Sequence, residues 1–390
     1  MIEPVIVLGG GPAGATAALT LARAGFPCHV LERNAALDDK VCGEFLSPEA
    51  VDLLDGLGFP WDQADAVPIR KLSLHQGRRA LSFTLPFEAR TVARPMLEAW
   101  LLRAASQAGA TIERDVHVRS VSRGQQRFLL LDADSTVRET KILVLASGKH
   151  GVGTFHPRHS RRNSSLIGWK MNFHHLGRSL REELADTLAL FFFAGGYGGV
   201  SRTGQDALTV SLLIQSTEFR HHRHFRLGFL HALAEECPLL RNVLSQSEPR
   251  WSQPKTISNL PYGHCDDVAQ GGLFPVGDQF AVLPSFTGTG IAFAMLSGRL
   301  AATYIARALT GTDGSCEQHY TDEARAQATL VLRNAMSLHD WLRRPFFAAL
   351  AMAAVRWIPP LLPFVARRTR LAVFDKLAEL PELPPSSNAA

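Results

Sequence analysis

The sequence predicts an α/β fold: a dinucleotide-binding parallel sheet, discontinuous in sequence, with an inserted antiparallel sheet and helices at its C-terminal side. Three observations predict it. The apolar stretch Val5-Ile6-Val7-Leu8 runs into Gly9-Gly10-Gly11-Pro12-Ala13-Gly14 and then an Ala/Leu-rich helical segment. A further apolar strand ending in Gly277-Asp278 returns near residue 271, ahead of a glycine-punctuated helix start. Between them, residues 150–260 change to His/Arg-rich loops, the aromatic run Phe191-Phe192-Phe193 and alternating strands such as 208–214, the pattern of an antiparallel sheet.

The first unit is a strand–helix–strand with a full set of working parts. Gly9 permits the tight turn out of the strand, Gly11 lets backbone approach a pyrophosphate, and Gly14 lets the helix pack closely on the sheet. The helix start, with Pro12 and Ala13, offers N–H groups and a positive dipole end to phosphates. Glu32, with Arg33 beside it, closes the second strand and is placed to accept hydrogen bonds from ribose hydroxyls. A carboxylate there repels a 2′-phosphate, which favours FAD or NAD over NADP.

Further along, a loop to Leu46 precedes a helix from about Pro48 to Gly58, then strands between Val67 and Phe87. A helix spans 96–108, strands follow around 111–121, 127–132 and 137–145, and the chain reaches Ala146-Ser147-Gly148. The return strand at 271–278 leads to a helix from Gly290 to about Leu309. The expected division is therefore a nucleotide-binding unit in three pieces (1–66, 94–150, 263–335), a substrate unit in two (67–93, 151–262), and a C-terminal helical region with a tail (336–390).

Composition narrows the class. Hydrophobic residues make up 46% and charged residues 20% of 390, so the chain can bury a large core and is not disordered. The five cysteines are odd in number and lack metal-ligand pairing, which predicts reduced thiols, a cytoplasmic setting and no metal. No apolar run reaches the roughly 20 residues of a spanning helix, and the first strand starts almost at Met1.

The return segment separates the two cofactors, because an NAD dehydrogenase has no need of a second such element. Gly277-Asp278, then Pro284, then Gly288-Thr289-Gly290 provide a carboxylate for ribityl hydroxyls and amides at a helix start. Here the chain resembles the flavoprotein monooxygenase and geranylgeranyl reductase superfamily, whose third signature is this arrangement. The resemblance implies FAD and a glutathione-reductase-type Rossmann-like domain. It also implies a flavin-contacting role for Arg94, a backbone contact to adenine at Val118, and backbone approach to the cofactor at Gly148.

Two stretches narrow it further. Lys40-Val41-Cys42-Gly43-Glu44 with Ser47-Pro48 is similar to the Lys-x-Cys-Gly signature of geranylgeranyl and menaquinone reductases. Gly195-Gly196-Tyr197-Gly198-Gly199 resembles the Gly-Gly-Tyr-Gly-Trp element of the same branch, with Gly199 in the tryptophan's place. Both stretches are expected to face the isoalloxazine ring, and Cys42 and Tyr197 are the candidate catalytic residues; a buried cysteine and a hairpin turn are the structural alternatives. Ser147-Gly148 stands where related hydroxylases have Asp-Gly, a motif tied to NADPH contact. The electron source is accordingly NAD(P)H bound otherwise or a reductase partner.

Other clusters carry less. Arg220-His221-His222-Arg223-His224 reads as a solvated basic face rather than a metal or anion site, since no second ligand cluster accompanies it, and the His156–Arg162 loop reads as shaping an entrance, one short basic patch being too little for a nucleic-acid surface. Residues 341–374 hold six arginines and no acidic residue, interleaved with Phe346, Phe347, Trp357 and Phe364. Such a segment either lies on an anionic membrane surface, at the inner face, or caps the substrate cavity.

The expected function is FAD-dependent oxidation–reduction of an apolar small molecule. The leading expectation is a monooxygenase hydroxylating a hydrophobic aromatic or polyketide-like molecule. The alternatives are reduction of C=C bonds in an isoprenoid chain, as the Cys and Gly signatures suggest, and halogenation, since Gly43-Glu44, Pro48 and Lys71 resemble elements of flavin halogenases whose Trp-x-Trp-x-Ile-Pro motif is absent. A prenyl or lipid escort on the same scaffold is the non-enzymatic alternative.

Overall fold

A computed structural model describes residues 2–149, 151, 152, 155, 165–221, 227–266, 269, 271–312, 314–342, 344–357, 368, 370 and 371. The 156–162 loop, residues 222–224 of the second basic run and Phe364 lie outside the described residues.

Three sheets organise these residues. The first is five-stranded and parallel, ordered Leu273–Pro275, Leu143–Leu145, Val5–Leu8, Cys28–Glu32, Thr111–Arg114. Its central strands are buried throughout, as expected of a parallel sheet covered on both faces. Helices Pro12–Arg23 and Gly290–Leu309 pack closely against each other on this sheet. The Cα of Gly298 sits where a side chain would meet the backbone of Ala13 and Ala17.

The second sheet has nine strands. Its path runs Glu248–Pro249, Leu166–His174, Ala207–Gln215, Gly196–Arg202, Thr187–Phe193, Val67–Gln76, Arg79–Thr91, Phe45–Leu46, with Lys255–Ser258 also on Leu166–His174. All pairs are antiparallel except Thr187–Phe193 with Val67–Gln76. Alternation sorts its side chains into two layers. Phe191 and Phe193, with ring centroids 5.9 Å apart, join Trp169, Met171 and Val210 in a core capped by helices Gly228–Glu236 and Pro238–Gln246. Phe192, Tyr197 and Leu213 point the other way, toward the cavity described below. A third sheet is the meander Val118–Arg123, Phe128–Asp132, Val137–Thr140.

Several expected boundaries move. The strand expected over 111–121 is broken: Asp115 takes φ +61°, so Thr111–Arg114 stays in the parallel sheet while Val118–Arg123 starts the meander. The return strand is only three residues, ended by a turn at Gly277 with φ +59°. The division at 335/336 falls inside one continuous helix, Cys316–Leu342, whose alanines and Tyr320 pack on the parallel-sheet core. A last helix, Pro345–Trp357, contacts that helix and the strands Val67–Gln76 and Thr187–Phe193. No helix among the described residues is long and apolar enough to cross a membrane.

Candidate active site

The parallel strands all end on one edge, and the ligand crevice of such sheets lies outside the C-terminal ends of the strands. Gly9 follows the first strand, Glu32 ends the second, Gly148 lies beyond Leu143–Leu145, and Gly277 follows Leu273–Pro275. They open into a cavity of about 1040 Å³ that extends to the nine-stranded sheet and the last helix. Gly9, Gly11, Pro12, Ala13, Glu32, Arg33, Cys42, Gly43, Arg94, Val118, Gly148, Tyr197, Gly277, Asp278, Gly288 and Gly290 line it.

Two predicted residues do not. A side chain on Gly14 would be driven into the Gly9 carbonyl and come 2.9 Å from Ala146 Cβ, so this glycine serves helix-to-sheet packing. Pro284 sits behind the lining, where its carbonyl accepts hydrogen bonds from Thr287 and shapes the turn into Gly288.

The geometry of the lining suits an extended dinucleotide. A Cβ on Gly11 would stand in open space, with Glu98 Oε1 nearest at 4.0 Å; Gly148 (φ +68°) and Gly290 have nothing within 4 Å. Three separate segments thus leave bare backbone facing one cleft. Glu32, 7% exposed, is held by the Gly10 N–H (2.7 Å) and the Asn34 N–H (2.9 Å), fixing its carboxylate at the cleft edge. Across the cleft, Asp278 lies 4.0 Å from the Lys149 ammonium. Burial opposes the Lys149 charge, but Asp278, with Tyr262 and Cys42 behind it, outweighs burial and holds its pKa above the usual value. Arg94 donates to Glu98 (2.8 Å) and reaches Cys42 Sγ at 3.6 Å, while Lys40 grips the same Glu98 at 3.0 Å.

Residues 3–148 match the FAD binding domain family. With the bare glycines, Glu32 and Asp278 around one cleft, that match decides the identity. The chain is an FAD-dependent oxidoreductase, similar to members of the flavoprotein monooxygenase and geranylgeranyl reductase superfamily. The flavoenzyme is 24% identical to digeranylgeranylglycerophospholipid reductase 2 of Methanopyrus kandleri over 321 residues, covering 80% of this chain and 78% of that one. It is 26% identical to the menaquinone reductase of Mycobacterium tuberculosis over 322 residues, 76% of this chain and 75% of that one. Among solved structures it is similar to the myxobacterial chondrochloren halogenase CndH (TM-score 0.75, 18% identity, 96% and 92% covered). It is also similar to PqsL of P. aeruginosa in complex with 2-aminobenzoylacetate (TM-score 0.73, 16% identity, 89% and 98% covered), and both likenesses concern the fold.

On the far side of the flavoenzyme's cleft the structure brings Cys42 and Tyr197 onto the same cavity. The glycines around Tyr197 have a different task from the one expected. Added side chains at Gly196 and Gly198 would strike the rings of Phe193 and Phe191, so these two make room for the sheet's own aromatic layer. Gly199, two residues on from Tyr197 and so on its face, looks past Leu190 (3.4 Å) into the cavity, leaving space there.

Sequence reasoning missed four participants. Tyr197 Oη lies 3.0 Å from Ser285 Oγ and 3.2 Å from His339 Nδ1, a histidine 1% exposed on helix Cys316–Leu342. Tyr262, also on the lining, bonds Ser285; burial pushes its phenol pKa up, opposed by Lys149 and by that bond. Lys170, fully buried on Leu166–His174, reaches Glu44 at 2.8 Å and Asp39 at 3.2 Å. Glu44 itself takes φ +59° and accepts from the Arg94 N–H (2.9 Å) and the Thr209 hydroxyl. The Cys42-Gly43-Glu44 turn is thereby tied to the nine-stranded sheet and to the start of helix Arg94–Gln107. A positive φ outside glycine is the local signature of this strain, and it is invisible in residue type.

Proposed function

We propose that the flavoenzyme reduces carbon–carbon double bonds of a long apolar molecule with a small polar end, such as an isoprenoid lipid. The observation that carries this reading is the cavity wall. Leu72, Leu74, Leu85, Phe87, Leu188, Leu190 and Phe192 form an apolar side leading to Met352, with Arg370 stacked 4.0 Å over the Phe87 ring as a cation on that side, while the Tyr197, Tyr262 and Ser285 hydroxyls and the Cys42 thiol gather toward the other end. Such a shape suits a chain more than a compact ring, and the curated relatives named as reductases of lipid and quinone substrates support it. The reading places reduction ahead of the hydroxylation favoured by sequence.

When bound, FAD supplies the two-electron transfer. Gly11, Gly148, Glu32, Arg33, Arg94 and Asp278 would hold it, and the chain does the rest. The apolar wall orients the substrate and excludes water. Saturating a double bond needs two electrons and two hydrogens, of which one arrives as a proton. Tyr197 Oη, backed by His339 Nδ1 and Ser285 Oγ, is positioned to deliver that proton and to recover it.

The test is anaerobic: dithionite-reduced protein is mixed with a geranylgeranyl lipid and the products are weighed by mass spectrometry. A gain of two hydrogens per double bond is expected. An unchanged lipid would refute the reading. A second reading, ring hydroxylation, is favoured by the edge-on Tyr197–Phe286 pair at 6.2 Å, which makes an aromatic slot. It predicts instead that a phenol gains one oxygen atom in air. NADH and NADPH, tried separately as reductants, identify the electron donor.

A further inference from the structure

We propose that the last helical hairpin seats the cavity mouth on an anionic lipid bilayer, so that an amphiphilic substrate passes from the lipid straight into the site. The inference deepens the reading of the cavity as the place of an apolar substrate. Helix Pro345–Trp357 is apolar on two sides. Phe347, Ala351 and Met352 face the cavity. Phe346, Leu350, Ala353 and Trp357, spaced four, three and four residues apart, form an outward stripe in which Phe346 is 73% and Trp357 83% exposed. A helix apolar all round is normally buried in protein or membrane, and this one is covered on one side only.

The stripe is concentrated and placed at the opening. Of the eight large hydrophobic side chains exposed among the described residues, four lie on this hairpin: Trp341, Phe346, Leu350 and Trp357. Trp341 and Leu350 are exposed and line the cavity at once, so the rim of the opening is itself the apolar patch. The helix, at about 1.5 Å per residue, is too short to span a bilayer and suits lying in its surface plane. Charge selects the partner. Residues 341–374 carry six arginines and no lysine or acidic residue, and Arg344 and Arg368 are exposed. A protein groove would cover the stripe yet leave the substrate opening sealed, whereas anionic lipid matches the charge, accommodates interfacial tryptophans and supplies the substrate phase.

The test is sedimentation of the full chain with vesicles of phosphatidylcholine alone, or of two parts phosphatidylcholine to one part phosphatidylglycerol. Partition roughly tenfold or more higher into the anionic vesicles, weakening with added salt, is expected. The triple variant Phe346→Ser, Leu350→Ser, Trp357→Ser changes only exposed positions; it should keep the parent's melting temperature and lose that binding. Equal partition into both vesicles, none into either, parent-like binding by the triple variant, or a solution dimer that the triple variant dissolves would each overturn the inference. The flavin spectrum and turnover of detergent-dispersed lipid are recorded on the same samples. Turnover without vesicle binding sinks this inference alone, and vesicle binding without flavin sinks the functional reading alone.

Discussion

Replacing Lys170 by Met tests how the site is held together. The substitution keeps the apolar stem but removes an ammonium that is fully buried, 2.8 Å from Glu44 and 3.2 Å from Asp39. Two carboxylates, of which Glu44 is fully buried, then face each other without a cation. Removing one partner of a buried ion pair costs about 3–5 kcal/mol. With an unfolding entropy near 2.1 cal/mol/K per residue, a chain of this length loses about 4–6 °C of melting temperature for that cost. Differential scanning calorimetry reads it directly. The Lys170→Met, Glu44→Gln double variant should recover a large part of the loss, since the fully buried carboxylate is then neutral and only Asp39 keeps its charge. The Cys42 turn should also loosen in the single variant, seen as faster labelling by a thiol reagent and weaker FAD retention. A single variant melting within a degree of the parent, with unchanged labelling, would refute the argument that this lysine ties the turn to the substrate sheet.

Three further changes probe other parts. Gly11→Ala and Gly14→Ala should separate cleanly. The first places a methyl in the open cleft and abolishes FAD retention with little change in the apoprotein's melting. The second forces strands and helix apart and destabilises by about 1–3 kcal/mol or more whether or not FAD is present. Tyr197→Phe should lower turnover at least tenfold at a melting temperature within a few degrees of the parent, and His339→Gln should shift the pH profile of turnover; unaltered kinetics in both would remove the proposed proton route. Burial pushes the Cys28 thiol up to about 12 from 9.0. The folded chain therefore keeps a proton that the unfolded chain releases, so stability from this group is complete below about pH 9 and declines from there toward 12. Urea titrations at pH 8 and pH 10.5 should show that decline lessened in Cys28→Ala.

The parts legible in the sequence were those whose constraint acts on the backbone within a few residues. Gly9, Gly11 and Glu32 could be read because a tight turn, a close approach and a strand-end carboxylate follow one another along a single strand–helix–strand. Gly14 was legible for the same reason, and its packing task is the one the spacing implied. The Lys170, Glu44 and Asp39 cluster was not legible: a lysine in an alternating strand reads as an outward residue, and only pairing of distant segments buries it. His339 likewise reached Tyr197 through packing of the helix against the nine-stranded sheet. Among the glycines near Tyr197, Gly196 and Gly198 permit close approach by the rings of Phe193 and Phe191, while Gly199 faces the cavity. The face of a strand that a glycine opens depends on register, and register is fixed by partners such as Phe192↔Tyr197, not by composition.

The lone parallel pair in the nine-stranded sheet has a consequence for how the chain assembles. Leu72 and Leu188 sit side by side, yet the chain between them contributes helix Arg94–Gln107, two strands of the parallel sheet and the meander. Bringing the two strands into register means closing the whole loop of chain between them. Such high contact order makes seam closure a slow, late event in folding. It also makes the nine-stranded sheet a poor candidate for excision or separate expression. A nick in the segment between these strands would leave local secondary structure in place but remove the tether that brings the seam into register, and so the floor of the cavity would be the first element to open.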